Sequence, residues 1–221
     1  DLHELSNVRS VIGVASGKGG VAKSMVTTLL AGNLARKGRR VGILDADITG
    51  PSIPKAFGLE ERLQGFDGGI FPSKTLQLGI RIVSINLMLD DPEAPVLWRG
   101  PIVSGLVKQF YTDVLWDQMD VLLLDMPPGT GDVPLTVFQS IPLDGIVVVS
   151  TPQDLVSLIV KKARTMATMM NVKVLGFVEN MSFVKCPSCD LEHQVFGPGK
   201  TREAAAELGV PLLDRVPLDP K

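Results

Sequence analysis

Cysteine is scarce in this chain: 221 residues contain two, both in the segment Cys186-Pro187-Ser188-Cys189. A disulfide framework is thereby excluded, since it needs cysteines spread along the chain to staple it. Long apolar runs are also missing. No stretch approaches the roughly 20 residues of a membrane-spanning helix, and the opening segment Asp1 to Ser10 is polar rather than signal-like. Charge of one sign is not in excess either, with 22 basic against 24 acidic residues and a formal net charge of −2. No global basic field therefore draws the protein to nucleic acid or to an anionic membrane, and partners must be recognised locally. Internal repeats, low-complexity tracts and interdomain linkers are absent too. Together these gaps give the expectation of a soluble, cytoplasmic protein with neither a nucleic-acid nor a membrane partner.

What is present is material for a core. Hydrophobic residues make up 45% and charged residues 21%, enough for one α/β domain over residues 1–221. Apolar, β-branched runs recur at Val11 to Ala15, Val41 to Leu44, Ile80 to Ile85, Val121 to Leu124, Gly145 to Val149, Val172 to Val178 and Pro211 to Val216. Because they are continuous rather than alternating, they read as strands buried on both faces. Helical stretches at Lys23 to Lys37, Ile102 to Leu115, Asp154 to Asn171 and Thr201 to Leu208 would cover a doubly wound, mostly parallel sheet. Ligand chemistry is then expected at the carboxyl ends of the strands. The glycine-rich stretch Gly65 to Ser73 reads as a loop inside the domain. At Val216-Pro217-Leu218-Asp219-Pro220-Lys221 a strand leaves the sheet, which suggests a further C-terminal segment.

Residues 16 to 24 read Ser-Gly-Lys-Gly-Gly-Val-Ala-Lys-Ser, between an apolar strand and a helix. Such a turn lets successive backbone N–H groups converge on phosphate oxygens at the positive end of the helix dipole. Lys23 is placed to reach the terminal phosphates and Ser24 to bind Mg²⁺, so the expected ligand is a nucleoside triphosphate with magnesium. Ala22 stands where the usual pattern has a second glycine. Its methyl group must fit close to the phosphates, and it is disfavoured if the position needs a positive φ.

Two strands end in carboxylates. The first delivers Asp45-Ala46-Asp47, with Asp47 the candidate for orienting a magnesium-bound or attacking water. The alternative is that both aspartates only cap a turn. The second delivers Asp125 before Met126-Pro127-Pro128-Gly129-Thr130-Gly131-Asp132. Asp125 is placed to hold magnesium opposite the loop hydroxyl, and Gly129 and Gly131 flank a hydroxyl in a segment able to switch with the γ-phosphate. A rigid proline turn is the competing reading.

Cys186 and Cys189 have metal-ligand spacing, and thiolates suit iron–sulfur clusters or zinc. Four ligands are usually wanted and this chain has no other thiol, so two subunits would supply them by symmetry. His193 is either a third ligand in a zinc-only site or an ordinary polar loop residue. A redox dithiol is a further alternative for the pair.

Taken together the motifs resemble the Mrp/NBP35 family of P-loop ATPases, in the group with a deviant phosphate loop that includes MinD, ParA and the nitrogenase iron protein. The resemblance spans nearly the whole chain. It rests on Gly17-Lys18-Gly19-Gly20, Asp45-Ala46-Asp47 with Gly50-Pro51-Ser52, Trp98-Arg99-Gly100-Pro101, Asp125 with Pro127 to Asp132, Glu179-Asn180-Met181, and Cys186 to Cys189. It implies that Lys18 reaches across a nucleotide-sandwich dimer to the partner's phosphates. Lys23 and Ser24 match the phosphate lysine and the magnesium hydroxyl, Asp47 and Asp125 the two switch aspartates, and Asn180 the residue that binds adenine. Gly17, Gly19, Gly20, Val21, Ala22, Met25 and Pro217 complete the implied nucleotide site. Cys186 and Cys189 match the pair that bridges a [4Fe–4S] cluster between subunits.

The implied function is an ATP-dependent carrier or scaffold, a homodimer that passes its cluster to apo iron–sulfur proteins. Ala22 and Met25 depart from the family's usual glycine and threonine, and weak nucleotide binding is expected from Ala22. Two other readings stand beside it: a MinD/ParA-like spatial regulator switched by ATP, and a zinc-bridged dimer with an impaired nucleotide site.

Overall fold

The computed structural model describes residues 2–47, 52–87, 100–129 and 141–219. Gly50, Pro51, Trp98, Arg99, Thr130, Gly131 and Asp132, which carried part of the motif reading, lie outside the described residues.

Eight strands form the main sheet: β1 (Val11–Ser16), β2 (Val41–Asp45), β3 (Ser73–Lys74), β4 (Arg81–Ser84), β5 (Val121–Asp125), β6 (Gly145–Ser150), β7 (Val174–Glu179) and β8 (Leu212–Arg215). Their order across the sheet is β8-β7-β6-β1-β5-β2-β4-β3. All neighbours are parallel except β3, which runs antiparallel to β4. Helices α1 (Lys23–Arg36), α2 (Ser52–Ala56), α3 (Gly100–Thr112), α4 (Val156–Met170) and α5 (Thr201–Leu208) complete the layers. The doubly wound α/β architecture read from the apolar runs is the one found.

Burial explains why those runs are continuous. Leu122 and Leu124 pack with Phe110, Trp116 and Ile146 in one core group, whereas Leu123 between them packs with Ala31, Ile43 and Ile82 in another. Successive side chains of a strand point to opposite faces, so a strand covered on both faces needs every residue apolar. Each fully buried leucine or isoleucine contributes about 1.5–3 kcal/mol.

The topology then sets the site. From β1 the chain crosses to β2 on one side of the sheet, and from β5 it crosses past β1 to β6, β7 and β8 on the other. A switch of direction beside β1 opens a crevice at the carboxyl ends of its neighbours. Register brings those ends level: Asp45 pairs with Asp125, Val14 with Asp125, Val149 with Ser16, and Ser150 with Glu179.

The stretch from Gly65 to Ser73 is not a plain loop, contrary to the sequence reading. Gln64–Phe66 and Gly69–Phe71 form an antiparallel hairpin, followed directly by β3. Its two-residue Asp67-Gly68 turn uses a positive φ of 114° at Gly68, a recognised hairpin signal. The Phe66 and Phe71 rings, 4.4 Å apart, close the pair. Helix α4 starts at Val156 rather than Asp154, because the Asp154 carboxylate accepts the Thr151 N–H at 2.9 Å in the preceding turn.

Candidate nucleotide site and cysteine hairpin

The phosphate loop follows β1 and runs into α1. Gly20 has φ 78° and Ala22 has φ 53° and ψ 44°, so the alanine occupies the left-handed region. That conformation costs a non-glycine residue on the order of 1–2 kcal/mol. Around the loop lies a cavity of about 410 Å³, lined by Lys18 to Met25 together with Ser16, Thr28, Asp47, Ser52, Ala56 and Pro128. Gly17 lies just outside it, pressed by α4: the Lys162 ammonium donates to the Gly17 carbonyl, and the Lys162 stem fills the space a side chain at 17 would need.

At the floor of the cavity the charged groups converge. Lys23 is 4% exposed, with its ammonium 2.8 Å from Asp125 and 3.5 Å from Asp47. The fully buried Asp125 also accepts the Ser24 hydroxyl at 2.5 Å and the Thr27 hydroxyl at 2.6 Å. Asp45 lies beside it on β2, accepting the Ser84 hydroxyl at 2.9 Å and the Asp47 N–H at 3.1 Å. Burial first, and then the neighbouring Asp125 charge, push the Asp45 carboxyl up to about 8. Asp45 therefore keeps its proton at neutral pH. The oxygens of Ser24, Asp47 and Asp125 are the hard donors that a magnesium ion takes.

Asn180, fully buried and outside the lining of the cavity, reaches the loop from behind. Its amide donates to the Val21 carbonyl at 2.8 Å, while its buried Oδ1 has no hydrogen-bond partner among the described residues. Lys18, on the rim, forms an ion pair of 2.8 Å with Asp154 of its own chain.

The cysteines sit at the tip of a second hairpin, Val184–Lys185 paired antiparallel with Glu192–His193. The Cys186 N–H donates to the Leu191 carbonyl at 2.9 Å, and the Asp190 N–H to the Cys186 carbonyl at 3.0 Å, which closes the tip into a tight turn. Both thiols are free, Cys186 half-buried and Cys189 exposed. The Ser188 N–H, then the Cys189 thiol and its N–H, hold Cys186 below the ordinary thiol range, which favours the thiolate that metals bind. His193 is on the returning strand, and the described residues contain no group of three or more His, Cys, Asp or Glu able to hold a metal ion. Pro217 stands here rather than in the phosphate-loop cavity. With Leu218 and Asp219 it lines a cavity of about 290 Å³ against Lys185 and Cys186.

The structure thus gathers Lys18 to Met25 and Asp47 around one cavity, with Asp125 beneath it against Lys23 and Ser24, and places Cys186 and Pro217 together elsewhere. Sequence reading gave no site role to Thr27, Asp154 or Lys162, and named Asp45 only beside Asp47 in its motif. Thr27 had a signal, lying one helical turn beyond Lys23 on the same face. Asp154 and Lys162 had none, because only the packing of α4 and of the turn that precedes it brings them to the loop.

Residues 7–221 match the family model for NUBPL iron-transfer P-loop NTPases. The iron–sulfur cluster carrier protein of Clostridium perfringens is 49% identical over 221 residues, covering 96% of this chain and 77% of that protein. The carrier of Methanocaldococcus jannaschii is 49% identical over 219 residues, covering 98% and 75%. A nucleotide-binding protein of Archaeoglobus fulgidus, solved in complex with ADP, has a TM-score of 0.87 at 44% identity over 96% of this chain and 83% of its own. MinD of Pyrococcus furiosus shares the fold, with a TM-score of 0.64 at 20% identity over 96% and 84%. Sequence and architecture agree, and the chain belongs to the Mrp/NBP35 iron-transfer family of P-loop NTPases.

Proposed function

We propose that this chain is an ATP-dependent iron–sulfur cluster carrier, which holds a [4Fe–4S] cluster between two copies and passes it to apo-proteins. The observation that carries this reading is a phosphate loop on the same chain as a pair of free thiols, one half-buried and one exposed. A cluster takes four thiolates, each chain supplies Cys186 and Cys189, and a two-fold axis makes up the number. Exposure suits cargo that must leave.

On the nucleotide side, the loop N–H groups and Lys23 bind the phosphates, and Ser24, Asp47 and Asp125 would hold Mg²⁺. The ion, when bound, neutralises phosphate charge. Asp47 orients the attacking water and accepts its hydrogen bond. Lys18 serves the partner's nucleotide, where a cation stabilises charge that develops in the transition state. The unpartnered Oδ1 of Asn180 is an acceptor that suits the exocyclic amine of adenine and opposes the carbonyl of guanine. The reading places the protein in the cytoplasm, and no helix among the described residues is long and apolar enough to cross a membrane.

Anaerobic reconstitution of the wild type, Cys186→Ser and Cys189→Ser tests it. Iron and sulfide content, visible absorbance and molecular mass are measured together. Either serine variant should lose metal and weaken dimerisation in step, and a monomer that keeps a full cluster overturns the reading. The left-handed Ala22 favours one second reading, a zinc-bridged dimer with an impaired nucleotide site. Colourless protein that contains zinc would select it.

A further inference from the structure

A chain of side chains joins the phosphate loop to the cysteine hairpin. It begins where Asn180 holds the Val21 carbonyl. Asn180 directly follows Glu179, the last residue of β7, and precedes Met181, whose φ of 55° makes a tight left-handed turn into Ser182. The Glu179 carboxylate is 3% exposed and accepts the Ser182 hydroxyl at 2.6 Å and the Thr201 N–H at 3.2 Å. Its seat over Gly199 leaves no room for a side chain there. The carboxylate is therefore locked to the start of α5 and can move only with the turn.

Arg215, at the end of β8, reads that turn. Its Nε donates to Ser182 Oγ at 2.9 Å and lies 4.0 Å from Glu179 Oε1. The same guanidinium reaches Glu192 at 3.3 Å and stacks over the Phe183 ring with its carbon 4.9 Å from the centroid. Phe183 leads directly into one strand of the cysteine hairpin and Glu192 lies in the other. The backbone runs the same way: the Ser182 N–H donates to the Val216 carbonyl at 3.0 Å and the Leu218 N–H to the Phe183 carbonyl at 2.8 Å. One planar cation thus contacts the returning strand of the hairpin at Glu192, the residue that leads into the other strand, Phe183, and Ser182, two positions after Asn180.

We propose that Arg215 is a positioning residue, which couples nucleotide occupancy at Val21 and Asn180 to the setting of the hairpin that carries Cys186 and Cys189. The proposal deepens the carrier reading and rests on it for the purpose of the coupling. A nucleotide that takes up Asn180 Oδ1 bears on the Asn180–Ser182 turn, and the turn moves the fork that orients the hairpin. Lysine would keep the charge at 215 but could not meet Ser182, Glu192 and Phe183 together.

The test uses the cluster-free full chain and the reaction of its two thiols with a maleimide, with and without saturating ATP and Mg²⁺. In the wild type ATP should change the thiol rate by about fivefold or more, the scale of typical coupling between sites. Arg215→Met and Glu192→Gln should bring that ratio to near one while calorimetry shows ATP affinity unchanged, and Arg215→Lys should recover it in part. A merely structural role would shift the rate equally with and without ATP and leave the ratio intact. A wild-type ratio of one, or a ratio kept in either variant, overturns the proposal. If Arg215→Met fails to fold, Glu192→Gln at its exposed carboxylate decides alone. A reconstituted cluster with no ATP effect on the thiols leaves the carrier reading standing and removes the coupling. An ATP effect in a protein that takes up no cluster does the reverse.

Discussion

Lys18 and Asp154 form an ion pair of 2.8 Å within one chain, and Asp154 is itself fixed by the Thr151 N–H and hydroxyl at 2.9 and 3.2 Å. The lysine side chain is 42% exposed, so the pair is worth at most about 1 kcal/mol and is easily given up. A lysine held so loosely is available to a partner's phosphates. Lys18→Ala should reduce ATP turnover about 100-fold and leave ATP affinity nearly unchanged, read by phosphate release and calorimetry. Equal loss in both would assign Lys18 to the nucleotide of its own chain.

Ala22 carries the left-handed conformation that the loop requires, at a cost of about 1–2 kcal/mol. Ala22→Gly relieves that cost and withdraws a methyl group from the cavity. Calorimetry with ATP and Mg²⁺ should show binding about tenfold tighter in the glycine variant. Equal affinities would mean that the loop tolerates the methyl.

Asp45 gives a pH signature. Its folded value of about 8 lies well above the ordinary carboxylate value near 3.9. Between the two, the native state binds a proton that the unfolded chain has lost, so stability falls as pH rises through that window and levels off above it. Asp45→Asn cannot ionise and can still meet Ser84 and the Asp47 N–H. Thermal melts from about pH 5 to 9 should show a shallower decline in the variant, with the gain over wild type greatest at the alkaline end. Parallel profiles would show that Asp45 is already ionised in the fold.

Gly199 is predicted to resist substitution, because a methyl there would strike the Glu179 carboxylate. Gly199→Ala should cost about 1–3 kcal/mol in chemical denaturation, as overpacking does. Gly105→Ala is the control. It lies on an exposed face of α3 with nothing within 4 Å of the added carbon, and should gain up to about 1 kcal/mol from helix propensity. A Gly199 variant as stable as the control would show that the carboxylate has room to yield.

The parts of the site legible in the sequence are those encoded locally. The loop from Gly17 to Ser24 declares itself by its glycines between a strand and a helix, and Asp47 and Asp125 by following continuous apolar runs. Those runs also gave the sheet, since burial on both faces leaves a contiguous pattern. The Asp67-Gly68 hairpin was hidden because its strands are three residues each, too short for an alternation to show. The proton on Asp45 depends first on burial in the folded sheet and then on the register that sets it opposite Asp125. Lys162 on Gly17 and Arg215 on Ser182 depend on elements distant in the chain lying side by side, which no local spacing records.

The margins of the main sheet, among the described residues, bear on whether it can be extended by a further strand. On one side the last strand, β3, is two residues long and ends in Lys74; on the other, β8 sets Asp214 and Arg215 along the rim. Short rims bearing charge are poor templates for a further strand. Growth of the sheet from one molecule into the next, the route to fibres, is thereby discouraged.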